Sequence, residues 1–68
     1  MRYNSPKEIG VGDIVTVSDT KYMVLINYIK GETDAKGFTP KTDRTILIDD
    51  DGIRTTVYDY RTLEVLNV

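Results

Sequence analysis

The chain has no cysteine and no histidine. Disulfides, thiolate nucleophiles, imidazole bases and the usual zinc sites are excluded together. Tryptophan is also absent, so no indole floors a binding groove. No apolar run approaches the roughly 18 residues that span a bilayer, so no membrane partner is expected. The first six residues, Met1-Arg2-Tyr3-Asn4-Ser5-Pro6, carry a charge, but no apolar segment follows. A secretory leader is therefore not expected. The chain starts with Met and holds no tag-like run, so it reads as a complete cytoplasmic open reading frame. A lack of cysteine agrees with a reducing compartment.

What is present points to strands. Val, Ile and Thr supply 23 of the 68 residues, against one Ala and no Gln. Branching at Cβ is costly in a helix and packs well on a pleated surface. Apolar residues are 40% of the chain, enough for one small core. At this length folding buries only about 60% of the unfolded chain's surface. Nine basic against 11 acidic residues give a net charge of −2. That balance argues against a general binder of phosphate backbones, which needs clustered cations.

Residues 1–8 are polar, contain Pro6 and form a lead-in, with an edge segment as one option. Residues 9–68 form one small domain. Ile9-Gly10-Val11-Gly12-Asp13 is turn-rich, since glycine takes positive φ without steric cost. Ile14–Val17 is a first strand, and residues 18–21 form a polar four-residue hairpin connection. The longest apolar run is Tyr22 to Ile29. Strict alternation places Tyr22, Val24, Ile26 and Tyr28 on one face and Met23, Leu25 and Ile29 on the other. Both faces are apolar, so this strand is buried twice, bends between sheets, or offers one face to a partner. Residues 30–43 make a long polar loop with Phe38 as its one aromatic. Loops of this length in small domains are functional or disordered as a rule. Residues 44–48 form a third strand. Asp49-Asp50-Asp51-Gly52 is the strongest turn signal, and Ile53–Val57 alternates as a fourth strand. Residues 58–61 suit one tight helical turn, and 62–66 a last short strand.

Five short strands, one long loop and a 3-10 turn before the last strand suggest an all-β, five-stranded, highly bent small barrel. The run Val11-Gly12-Asp13-Ile14-Val15-Thr16-Val17, followed by Lys21-Tyr22-Met23-Val24-Leu25, resembles the opening of Src-homology-3-like barrels of the Tudor and KOW kind. The ending Tyr58-Asp59-Tyr60-Arg61-Thr62-Leu63-Glu64-Val65-Leu66 is similar to their helical turn and closing strand. The likeness covers residues 9–66 and is one of fold. Peptide-binding members have a long acidic first loop and a groove tryptophan, and this chain has neither. A five-stranded oligonucleotide-binding-type barrel and an open sheet that dimerises are the alternative folds. Small free-standing barrels of the resembled class serve as accessory or regulatory subunits, or as phage-encoded modulators of a host machine.

Catalysis needs a tuned base or nucleophile with a positioned partner. A pair such as Asp13 with Asp59 is conceivable, but no spacing selects it. Gly10 and Gly12 lack the following helix that would aim amides at phosphate. Consecutive aspartates at 49–51 splay apart instead of converging on calcium, so they read as a solvated turn. No enzyme, cofactor or metal is expected. Tyr22 suits the core, whereas Tyr58 and Tyr60 divide between packing and recognition. Phe38 either folds back over Met23, Leu25 or Ile29, or waits in the loop for a partner. Arg44, Arg54 and Arg61, with Lys41 nearby, would form a basic strip for RNA or DNA. The intervening carboxylates favour cross-strand ion pairs instead.

The expected function is thus a non-enzymatic module that docks on a protein partner. Met23, Leu25, Phe38, Tyr58 and Tyr60 are its expected contacts. Nucleic-acid binding through Arg44, Arg54 and Arg61 is the second reading, and a homo-oligomeric structural role the third.

Overall fold

The computed structural model describes residues 1–66. The last two positions of the expected domain, 67 and 68, lie outside the described residues. Five strands form one antiparallel sheet: β1 (Ile14–Val17), β2 (Thr20–Tyr28), β3 (Arg44–Ile48), β4 (Arg54–Val57) and β5 (Glu64–Val65). The spatial order is β4-β3-β2-β1-β5. No pairing joins β4 to β5 among the described residues, so the sheet is not closed. Short 3-10 turns at Pro6–Glu8 and Tyr60–Thr62 precede β1 and β5. Asp59 caps the second turn by accepting a hydrogen bond from the Arg61 amide. No helix among the described residues is long and apolar enough to cross a membrane.

The lead-in is not loose. Arg2 bridges to Glu64, and the Val65 amide donates to the Met1 carbonyl at 2.6 Å. Asn27 ties the first 3-10 turn to the sheet: its Nδ2 donates to the Pro6 carbonyl at 3.0 Å. Its Oδ1 accepts from the Thr45 hydroxyl at 2.7 Å, which satisfies the buried Thr45. Near β1, Tyr3 donates its hydroxyl to Asp13 at 2.7 Å, and the same carboxylate oxygen accepts from the Gly10 amide. Burial first, and then the Asp13 carboxylate, push the Tyr3 phenol well above its ordinary value.

The core is Ile9, Val15, Val24, Leu47 and Leu63, with Tyr3, Val17, Tyr22, Val57 and Tyr60 packed around it. Paired residues share a face, so the register sorts the strands into two sides. Tyr22 opposite Val15, Val24 opposite Leu47 and Asn27 opposite Thr45 belong to the inner side.

Two local expectations need correction, besides the second 3-10 turn, which falls at Tyr60–Thr62 instead of 58–61 and shortens the strand expected at 62–66 to Glu64–Val65. The β1–β2 connection is two residues, not four: Ser18 and Asp19 both take positive φ, 50° and 67°. Two such residues in sequence match the twist of a tight hairpin. Second, β2 does not alternate along its length. A bulge falls between Val24 and Ile26, where two steps along β2 meet one along β3. Ile26 and Tyr28 therefore leave the Val24 face and join Met23 on the outer side. Leu25 sits at the bulge, half-buried.

Candidate protein-docking face

The bulge has a chemical result. On the outer side, Met23 pairs with Ile14 on β1 and with Ile48 on β3, and Ile26 pairs with Ile46. These five side chains form two adjoining rows across three strands. Met23 is 41% exposed and Ile26 38%, while Ile14, Ile46 and Ile48 are half-buried. The next row is Tyr28 opposite Arg44. Outer positions on β4 are polar: Thr56 stands opposite Ile46 and Arg54 opposite Ile48. The result is an apolar centre with a polar margin on its β4 side.

The 30–43 loop adds an aromatic to one end. It is an ordered structure. The Gly31 amide donates to the Pro40 carbonyl, Asp34 and Phe38 pair their backbones, and Asp43 accepts from the Lys30 amide at 2.8 Å. Pro40 is buried. The loop delivers the Phe38 ring to Tyr28, edge-on, at 5.6 Å between centroids and 84° between planes. Arg44 lies over both rings, 4.8 Å from Tyr28 and 5.7 Å from Phe38. Rings so placed offer the cation their negative faces. The Arg44 Nε is buried with no hydrogen-bond partner among the described residues. Phe38 itself stays 44% exposed.

A cleft of about 240 Å³ opens at the other end. Its floor is Ile14, Met23 and Ile48, with Lys21 on the β2 side and Asp49 and Asp50 on the β3 side. A second cleft of about 260 Å³ lies between Ile26, Tyr28 and the loop at 34–36.

The residues singled out in the sequence scatter over this frame. Met23 lies at the centre of the outer face, and Leu25 at its bulge. Phe38 stands at the far end beside Tyr28, so Ile26 and Ile46 bridge the distance to Met23. Tyr58 follows β4 and is 66% exposed. Tyr60 packs against the core, with its hydroxyl donating to the Asn4 carbonyl. The three arginines do not converge. Arg44 begins β3, Arg54 pairs at the opposite end of that strand, and Arg61 lies before β5. Arg61 is held at 3.0 Å by Asp59, and its hydrogen bonds draw that carboxyl below its ordinary value. Asp49 spends one oxygen on the amides of Asp51 and Ile53, and Asp13 is engaged by Tyr3 and Gly10.

Ile14, Ile26, Ile46, Ile48 and Tyr28 were not among the expected contacts, and Arg44 was expected only as a contact to nucleic acid. One signal could have found the β3 members. Ile46-Leu47-Ile48 is apolar on both faces, as the β2 run is, and two such strands side by side imply an apolar outer surface.

No protein family, no curated protein and no solved structure matches this chain.

Proposed function

We propose that this chain is a non-enzymatic binding module that docks on a protein partner, as an accessory or regulatory factor, through the outer face of its sheet. One observation carries the reading: Ile14, Met23, Ile26, Ile46 and Ile48 run unbroken across β1, β2 and β3 while still open to solvent. A monomeric soluble domain has no folding reason to keep a contiguous aliphatic surface outside its core. Phe38 and Tyr28 extend that surface with rings, the side chains most common at interface centres. The strand order, with a 3-10 turn before β5, supports reading the sheet as a bent Src-homology-3-like barrel.

Nucleic acid suits this face less well. Of its cations, Arg44 is covered by rings, Lys21 shares a cleft with Asp49 and Asp50, and Arg54 lies apart at the β4 margin. Phosphate contacts need free, clustered cations.

The test compares Ile26→Asp and Phe38→Ala with Val11→Asp. Val11 is apolar and 71% exposed but lies in the turn before β1. Circular dichroism confirms that each variant folds, and partner capture is then quantified. Ile26→Asp should lower capture at least about tenfold, since it sets a charge in a desolvated contact. Phe38→Ala should lower it less and Val11→Asp not at all. Equal capture by all three variants would sink the proposal.

A further inference from the structure

We infer that Arg44 takes a carboxylate from the docked protein, carried by a glutamate or aspartate side chain that stands beside apolar residues. The inference rests on the docking reading above and names the chemistry of the partner. The arginines show an inversion. Arg2 and Arg61 are exposed, and each has a carboxylate, Glu64 at 3.3 Å and Asp59 at 3.0 Å. Arg44 is half-buried and has none among the described residues. A charge drawn from water needs a partner more than an exposed one does. Two acids of the adjoining loop are committed elsewhere: Asp34 Oδ1 accepts from the Lys36 and Phe38 amides, and Asp43 Oδ1 from the Lys30 amide.

Tyr28 and Phe38 supply part of the compensation through their rings. They also hold the guanidinium in place, so little freedom is lost when it binds. Its remaining donors point to the ligand class. Nε is the one buried side-chain nitrogen or oxygen without a partner among the described residues. The two Nη nitrogens make no hydrogen bond there either, so they keep access to solvent. They form the end of a planar fork, which matches the two oxygens of a carboxylate. The neighbouring rows say what carries the anion. Arg44, Ile46 and Ile48 recur at every second residue of β3, so they share the outer side about 7 Å apart. Ile26 stands opposite Ile46, and Met23 opposite Ile48. An extended segment along β3 with apolar, apolar and acidic side chains at alternate positions meets all three rows in order. A nucleic acid would bring one phosphate to Arg44 and set the rest of a charged backbone over Ile26 and Ile46.

The probes are two blocked peptides, acetyl-Leu-Ser-Leu-Ser-Glu-amide and the same chain ending in Gln. They are titrated into the full chain and followed by NMR at the Arg44 Nε–Hε signal and the Phe38 ring. The Glu peptide should bind roughly tenfold more tightly at low salt. Arg44→Gln should erase that difference, and Arg44→Lys, which keeps the charge without the fork, should restore only part of it. The wild-type comparison needs no variant to fold. Equal binding of the two peptides, or a Glu preference that survives Arg44→Gln, overturns the inference. Where both bind equally and Ile26→Asp abolishes both, the docking reading survives and the carboxylate site falls. If neither binds up to about 10 mM, the carboxylate site falls, and partner capture by Ile26→Asp still decides the face. Acetyl-Leu-Ser-Leu-Ser-Leu with a free terminal carboxylate, bound as tightly as the Glu peptide, overturns the assignment to a side chain. Inorganic phosphate that displaces the Glu peptide at equal concentration overturns it in favour of a phosphate group.

Discussion

Two turns in this molecule are built alike and used differently. Asp34-Ala35-Lys36-Gly37-Phe38 lies in the long loop, and Asp49-Asp50-Asp51-Gly52-Ile53 joins β3 to β4. In each, the aspartate Oδ1 accepts from the amides two and four residues on, at 2.9 and 3.0 Å. In each, the glycine amide donates to the aspartate carbonyl at 3.0 Å. The glycines take φ of 85° and 80°, open to glycine at no cost. What differs is the residue that follows. Phe38 turns onto Tyr28 and Arg44, while Ile53 stays 61% exposed. The lesson is that one backbone device serves two ends. Between strands it fixes register, and inside a loop it aims a side chain.

The sharpest way to break this comparison is at the glycines. A β-branched residue at positive φ is strained, so Gly52→Val should cost about 2 kcal/mol of global stability in urea unfolding. Gly37→Val carries the same local strain, but the loop can open without losing a strand, so its global cost should be under about half as large. Equal costs would show that the loop is as integral as the hairpin.

The aspartates give a smaller effect. Asp49→Ala removes the acceptor for two amides and should cost about 1 kcal/mol, as loss of a capping side chain does. Asp34→Ala should cost less globally but should speed hydrogen exchange at the Lys36 and Phe38 amides. Unchanged exchange there would mean that the aspartate does not hold Phe38 in place.

A third carboxylate sharpens the contrast, because Asp13 serves a turn and a phenol together. The Tyr3 proton is held above the ordinary tyrosine value of 10.0, by burial first and by Asp13 second. A raised folded value means that this contribution is whole below pH 10 and fades as pH rises beyond it. Tyr3→Phe should cost about 1 kcal/mol at neutral pH and flatten the alkaline loss of stability. Denaturation midpoints from pH 8 to 11 would measure it, and an unaltered alkaline slope would refute the assignment.

The strands, the second 3-10 turn and the Asp49–Gly52 hairpin were legible because each is written in adjacent residues. Asp-Gly between apolar runs states its own turn, and Ile14-Val15-Thr16-Val17 states its own strand. The bulge was not legible. Tyr22, Val24, Ile26 and Tyr28 alternate straight through it, and only the pairing with β3 shows that the face changes. For the same reason the outer surface was half seen: Met23 and Phe38 stood out by type, while Ile26 and Ile46 depend on register. The order of the loop was readable in principle, since Asp34 and Gly37 repeat the spacing of Asp49 and Gly52. Polar composition around them hid it.

The Asn27 amide carries a consequence of its own. It gives a proton to Pro6 and takes one from Thr45, so its nitrogen and oxygen are not interchangeable. Hydrolysis to aspartate would keep the shape and invert the polarity on one side, setting oxygen against oxygen. A change of a single atom type would thus cut the first 3-10 turn's tie to β2, while the Arg2–Glu64 bridge and the Tyr3–Asp13 bond still hold the lead-in, a form of chemical ageing that leaves volume untouched.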